Sequence, residues 1–133
     1  MNRRVAHIGI AVRNLDQAIG VFSALLGRPP EDTVTVGDQN VRIALFDTDG
    51  CRVELLEGGS PDSAVSRFVD SRGPGIHHFC LTVPDIEREI ERLEKAGFRM
   101  IDHTPRTGAD GGRIAFVHPD STGGVLLELH QEK

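Results

Sequence analysis

The feature that most limits how this chain can fold is an internal repeat. His7-Ile8-Gly9-Ile10-Ala11-Val12 is answered by His78-Phe79-Cys80-Leu81-Thr82-Val83, with the two histidines 71 positions apart. A pattern that recurs at such a spacing is one supersecondary unit copied in tandem. Each run meets a helix start at once, at Asn14-Leu15-Asp16 and at Asp85-Ile86-Glu87, where Asn14 and Asp85 are placed to accept from orphan backbone amides. Leu15, Ile19, Phe22 and Leu26 fall on one stripe of the first helix, and Ile86, Ile90 and Leu93 on one stripe of the second. Gly27 and Gly97 are the matching stop signals.

Three shorter strand-like runs follow each helix. They lie around Thr33–Val36, Val41–Phe46 and Arg52–Leu56 in the first copy, and around Phe98–Ile101, Arg113–Val117 and Val125–Leu129 in the second. The expected architecture is therefore α+β, a βαβββ module written twice. Module one covers about 4–58 and module two about 75–131. Between them, about 60–72, Ser60 and Pro61 read as the N-cap and first residue of a linking helix that carries Val65, Phe68 and Val69 inward. At 133 residues, the whole is expected to form a single domain, 1–133.

Strand parity then singles out four side chains. His7, Gly9 and Ala11 share one face, opposite Ile8, Ile10 and Val12, and His78, Cys80 and Thr82 share one face, opposite Phe79, Leu81 and Val83. The bulky face is expected to meet the helices, leaving each histidine among small neighbours on the other. In the last strand of each copy, Glu54 shares its face with Arg52 and Leu56, opposite Val53 and Leu55, and Glu128 shares its face with Leu126 and His130, opposite Leu127 and Leu129. A carboxylate in the middle of an apolar strand is costly to bury without a partner or a metal. Taken singly, each of these residues reads more readily as a packed histidine or a surface-facing glutamate than as a ligand. Together, two imidazoles and two carboxylates suit a divalent cation and leave two of six octahedral positions open. Without thiolate in the set, Co is favoured, with Mn, Ni, Mg or Zn as alternatives. His77 has the opposite parity to His78 and reads as packed behind the site.

The formal charge of -5, with no long Lys/Arg run, argues against nucleic-acid or membrane binding. Only Cys51 and Cys80 are present, no apolar run approaches bilayer length, and Met1-Asn2-Arg3-Arg4 leads directly into a strand. A cytoplasmic protein is the expectation.

Several stretches resemble the methylmalonyl-CoA epimerase family: His7–Val12, Val53-Glu54-Leu55-Leu56-Glu57, Ser60-Pro61-Asp62-Ser63, Gly75-Ile76-His77-His78, Pro105–Gly112, His118-Pro119-Asp120-Ser121 and Gly124–Leu129. The resemblance runs from about Val5 to Gln131. It implies the vicinal oxygen chelate fold, in which two βαβββ modules form a cupped, half-barrel mixed sheet with helices outside. It also implies His7, Glu54, His78 and Glu128 as metal ligands, Glu128 as a catalytic acid/base, an acyl-CoA substrate and a homodimer. His118 and Ser121 match positions near the acyl-CoA, and Arg106 and Gly108 flank or form the glycine-rich stretch that is a candidate ligand contact. Arg99, Arg106 and Arg113 are candidates to offset CoA phosphates.

Two departures from the family stand out. Glu54 replaces a Gln found in some members, and the strand Val41–Phe46 lacks a second glutamate present in others. The opposite-face base is then a relayed water, Asp47, or part of a different chemistry. Glyoxalase-type isomerisation and metal-free sequestration of a small molecule are the competing functions, the second weakened by the lack of Trp and Tyr.

Overall fold

The computed structural model describes residues 3–108 and 110–133. Met1, Asn2 and Ala109 of the glycine-rich stretch lie outside the described residues. The elements are β1 (Arg4–Ala11), α1 (Leu15–Leu26), β2 (Asp32–Val36), β3 (Val41–Asp47), β4 (Arg52–Gly58), α2 (Ala64–Arg72), β5 (Gly75–Thr82), α3 (Ile86–Lys95), β6 (Arg106–Thr107), β7 (Arg113–Val117) and β8 (Leu126–Gln131). The expected order, βαβββ twice with a helix between, is what the chain adopts. The chain divides into two units, residues 7–77 and residues 3–6 with 78–133.

In the first unit the strands run in the order β2-β3-β4-β1, with β1 parallel to β4 and the remaining pairs antiparallel. Asn14 accepts from the Gln17 amide at 3.0 Å, and Gly27 closes α1 in the left-handed conformation at φ 74°. Leu15 of α1 is fully buried with Ala44, Phe46 and Leu55, and Ile10, Val12, Ile19 and Phe22 pack around them. This is the expected bulky face. The other face is not helix-free: Ala11, Val41 and Leu56 bury against Val65 and Val69 of α2. The expectation that the histidine side is turned away from the helices therefore holds for α1 and fails for α2, which covers the far end of the strand row that starts at His7.

The linking helix also starts later than its sequence signals suggest. Ser63, not Ser60, is the N-cap, its Oγ accepting from the Ser66 amide at 3.1 Å. Ser60 to Ser63 instead close a turn through a backbone bond of 3.1 Å, with Pro61 at the turn position its fixed φ suits.

The second unit orders its strands β5-β8-β7-β6, with β5 parallel to β8. Ile86, Ile90 and Leu93 of α3 are buried with Val83, Ala115, Val117, Leu127 and Leu129. Glu89 is buried on the same helix, and its Oε2 accepts from Arg3 Nε at 2.8 Å while its Oε1 accepts from Arg92 Nε at 2.7 Å. Burial raises the Glu89 pKa, but hydrogen bonds from Arg3 and Arg92 outweigh it and hold the carboxyl below its ordinary range. Phe98–Ile101 is not a strand in its own right. It makes one bridge, Met100 to Val117, and the ladder is interrupted because the Asp102 carboxylate takes the Phe116 amide at 2.8 Å. The strand beyond β7 is Arg106–Thr107, joined to it by a hairpin closed from Gly108 N to Gly112 O at 2.8 Å. Gly112 is required there, since a Cβ would lie 2.7 Å from both the Gln131 carbonyl and His130 Nε2.

The repeat extends to a device that strand and helix periodicities did not reveal. The first amide of α1, Leu15 N, donates to Glu57 Oε2 at 3.0 Å, and the first amide of α3, Ile86 N, donates to Gln131 Oε1 at 2.9 Å. The last strand of each module thus reaches over to satisfy an orphan amide of its own helix. Among the described residues no helix is long and apolar enough to cross a membrane.

Two outcomes follow from this packing. Gln131→Leu leaves the Ile86 amide without its acceptor and lowers stability by about 1 kcal/mol in urea unfolding. His77 packs edge-on against Phe68, ring centres 4.9 Å apart, and burial, with Arg72 adding to it, pushes its pKa below the ordinary 6.5. Between those two pKa values the unfolded chain binds more protons than the folded one, so stability falls as pH drops below 6.5 toward the folded pKa. His77→Phe flattens that decline in melting temperature; an unchanged slope between about pH 7 and 5 would show that other groups cause it.

Candidate functional site

Each unit builds one pair of the four expected ligands. In the first, β1 and β4 run parallel with His7 across from Arg52 and Gly9 across from Glu54. Gly9 has no side chain beside Glu54, and the carboxylate and imidazole meet diagonally across it, His7 Nδ1 to Glu54 Oε2 at 3.4 Å. His7 is 8% and Glu54 7% exposed, so both expected inward placements hold. In the second unit, His78 lies across from Leu126 and Cys80 across from Glu128. His78 Nε2 stands 3.6 Å from Glu128 Oε1, and their side chains are 11% and 14% exposed.

These separations test whether a divalent ion suits the donors. Nitrogen and oxygen ligands sharing one cation at about 2.1 Å stand roughly 3.0–3.4 Å apart for right-angled to tetrahedral geometry. The first pair, at 3.4 Å, stands at the wide end of that range and the second, at 3.6 Å, just beyond it, and both are looser than an ordinary N–H···O bond. Donor type and low exposure therefore suit a divalent metal in both pairs, and the spacing does so in the first.

Two neighbours that strand parity puts on these faces, without giving them a role, prove to be close partners. Arg52 Nη2 donates to Glu54 Oε2 at 3.0 Å, the same oxygen that faces His7. Cys80, treated as a small spacer, is a buried thiol directly across from Glu128. The available signal was parity: Arg52 is two residues from Glu54 and Cys80 two from His78, so each shares its neighbour's face. On β3 the residues sharing a face with Glu54 are Val41, Ile43, Leu45 and Asp47, and Asp47 is the carboxylate among them. It lies at the exposed strand end across from Arg52, with Oδ1 accepting from the Asp49 amide at 3.2 Å.

The four expected acyl-CoA contacts fall into two groups at opposite ends of β7. Arg106 and Gly108 belong to the β6–β7 hairpin. Arg106 pairs with Asp102 at 3.3 Å and its guanidinium carbon lies 5.4 Å from the centre of the Phe116 ring, itself across from Glu128. Gly108 lies close to Ile114, whose Cγ2 a Cβ would meet at 2.9 Å. Beyond the other end, His118 Nδ1 accepts from the Asp120 amide at 3.0 Å, and Ser121 Oγ accepts from the Arg99 amide at 2.8 Å. The three arginines considered for phosphate each have a carboxylate neighbour: Arg99 has Asp120, Arg106 has Asp102 and Arg113 has Glu87.

The sequence profile of the Glyoxalase/Bleomycin resistance protein/Dioxygenase superfamily matches residues 6–116. The chain is 35% identical over 130 residues to an uncharacterised protein of Bacillus subtilis, covering 98% of this chain and 93% of that one. It is 31% identical to the mitochondrial methylmalonyl-CoA epimerase of Dictyostelium discoideum, covering 97% of this chain and 78% of that one. Among solved structures, a variant of Streptomyces coelicolor methylmalonyl-CoA epimerase in complex with 2-nitronate-propionyl-CoA matches with a TM-score of 0.86 at 33% identity, covering 99% of this chain and 96% of that one.

Proposed function

The chain belongs to the glyoxalase/bleomycin resistance protein/dioxygenase superfamily, and from that premise we propose that it is an epimerase that inverts the α carbon of methylmalonyl-CoA or a close 2-alkylmalonyl-CoA. The observation that carries this reading is the repeated inward-facing His–Glu pair, at 3.4 Å in one unit and 3.6 Å in the other. The named epimerases among its relatives support the choice of substrate class.

In this reading His7 and Glu54 of one unit, and His78 and Glu128 of the other, are the ligands of a divalent ion, Co first and Mn, Ni, Mg or Zn as alternatives. When bound, the ion supplies Lewis-acid stabilisation of the negative charge that develops as the α proton leaves. The rest of the chemistry belongs to the chain. Glu128 takes the proton from the α carbon onto a carboxylate oxygen, and the electron pair of the broken C–H bond delocalises toward the thioester as an enolate. Reprotonation from the opposite face completes inversion. Phe116, across from Glu128, supplies an apolar wall that limits water beside the carboxylate. His118, Ser121, Arg106 and Gly108 are the proposed contacts to the acyl-CoA, whose thioester end lies toward Glu128.

The test is proton exchange at the α carbon, followed by NMR in deuterated water. Cobalt-loaded protein exchanges the α proton of methylmalonyl-CoA, chelation abolishes exchange, and Glu128→Gln slows it by about 10²–10⁴-fold. Full exchange in Glu128→Gln would remove Glu128 from the acid/base role, and no exchange in folded, metal-loaded wild type would remove the substrate.

A further inference from the structure

The two His–Glu pairs match in spacing and burial but differ in one neighbour. Arg52 stands two residues before Glu54 on the same strand face, and its guanidinium donates at 3.0 Å to the carboxylate oxygen that lies 3.4 Å from His7. At the equivalent place in the other module, two residues before Glu128, the chain has Leu126. This cation is thus particular to one half of the repeat. Its side chain is half exposed while the carboxylate it meets is 9% exposed, so the charge reaches inward from the rim.

The arithmetic of charge gives this placement a consequence, which rests on the metal reading above. Carboxylate ligands cancel charge on a divalent cation, which makes the centre a poorer host for a substrate that carries its own carboxylate and develops further negative charge during reaction. A guanidinium bound to one of those carboxylates offsets its charge without supplying another ligand, because Arg has five donors, no acceptor and no accessible neutral form. We propose that Arg52, acting through Glu54, makes the metal centre more positive: it accepts weaker metal binding in exchange for stronger attraction of an anionic acyl substrate. The role is electrostatic and indirect, since Arg52 need not touch the substrate.

The sign of the effect on metal affinity separates this from the alternatives. An arginine that only oriented Glu54 would, when removed, weaken metal binding, as lost hydrogen-bonding partners of ligands commonly do. An ordinary surface pair would change nothing measurable. Removing a nearby positive charge does the opposite and tightens binding of a cation.

The experiment is calorimetric titration of metal-free protein with cobalt chloride, for wild type, Arg52→Gln and Arg52→Lys. Expected are about three- to tenfold tighter cobalt binding by Arg52→Gln, an affinity for Arg52→Lys within about twofold of wild type, and a raised KM of Arg52→Gln for the malonyl-type thioester at saturating cobalt. The charge-retaining lysine keeps the comparison valid should the glutamine variant fold poorly. Weaker or unchanged cobalt binding in folded Arg52→Gln overturns the role given to Arg52 and leaves the metal reading standing. No cobalt uptake by wild type overturns both.

Discussion

A carboxylate facing inward from the middle of a strand has to be matched by another polar group, and in each unit that constraint decides what surrounds the site. Glu54 and Glu128 sit between apolar residues on central strands, where an unmatched charge would cost several kcal/mol. Each meets a histidine from the neighbouring parallel strand. The parallel pairing is what makes this possible: it lays β1 beside β4 and β5 beside β8, so a histidine near the start of one strand and a glutamate in the middle of the next share a face. The opposite faces are left to bulky side chains, which bury α1 and α3.

Glu89 obeys the same rule for a different end. It too is a buried carboxylate, but two arginines satisfy it, one from its own helix and one from the chain's opening residues. That makes it a tether. Glu54 combines both situations, with an imidazole on one side and a guanidinium on the other, both at the same oxygen. The difference matters chemically, because a carboxylate shared with arginine is a weaker donor to a cation than one facing histidine alone.

Much of the fold was legible because each module repeats its own signals. Asn14 and Asp85 cap their helices, the buried stripe of α3 follows the expected spacing, and the strand register puts His7 on the face of Glu54 and His78 on that of Glu128, as strand parity requires. The misreadings share a cause: a local signal was satisfied by a different partner. Ser60-Pro61 has the composition of a helix start, but Pro61 suits a turn equally, and the next serine has the better position for capping Ser66. Phe98–Ile101 is apolar enough for a strand, yet the Asp102 side chain takes the β7 amide that a regular ladder would use. Arg106–Thr107, which does pair with β7, is too short to show any periodicity.

By itself, the sequence determined the order of elements, the face on which each side chain lies, and the matching of one histidine and one glutamate per module, because repeat spacing and strand parity are properties of the chain alone. Only the tertiary structure decided which side chains on a shared face meet. Parity puts Arg52 with Glu54 and Cys80 with His78, but it is the register of the parallel pairs that sets Gly9 beside Glu54 and Cys80 beside Glu128. Rotamers then choose among the neighbours that register allows. The Arg52 guanidinium on the Glu54 oxygen, the Gln131 amide over α3 and the hairpin folded against His130 all depend on where distant backbone lies, which no local pattern encodes.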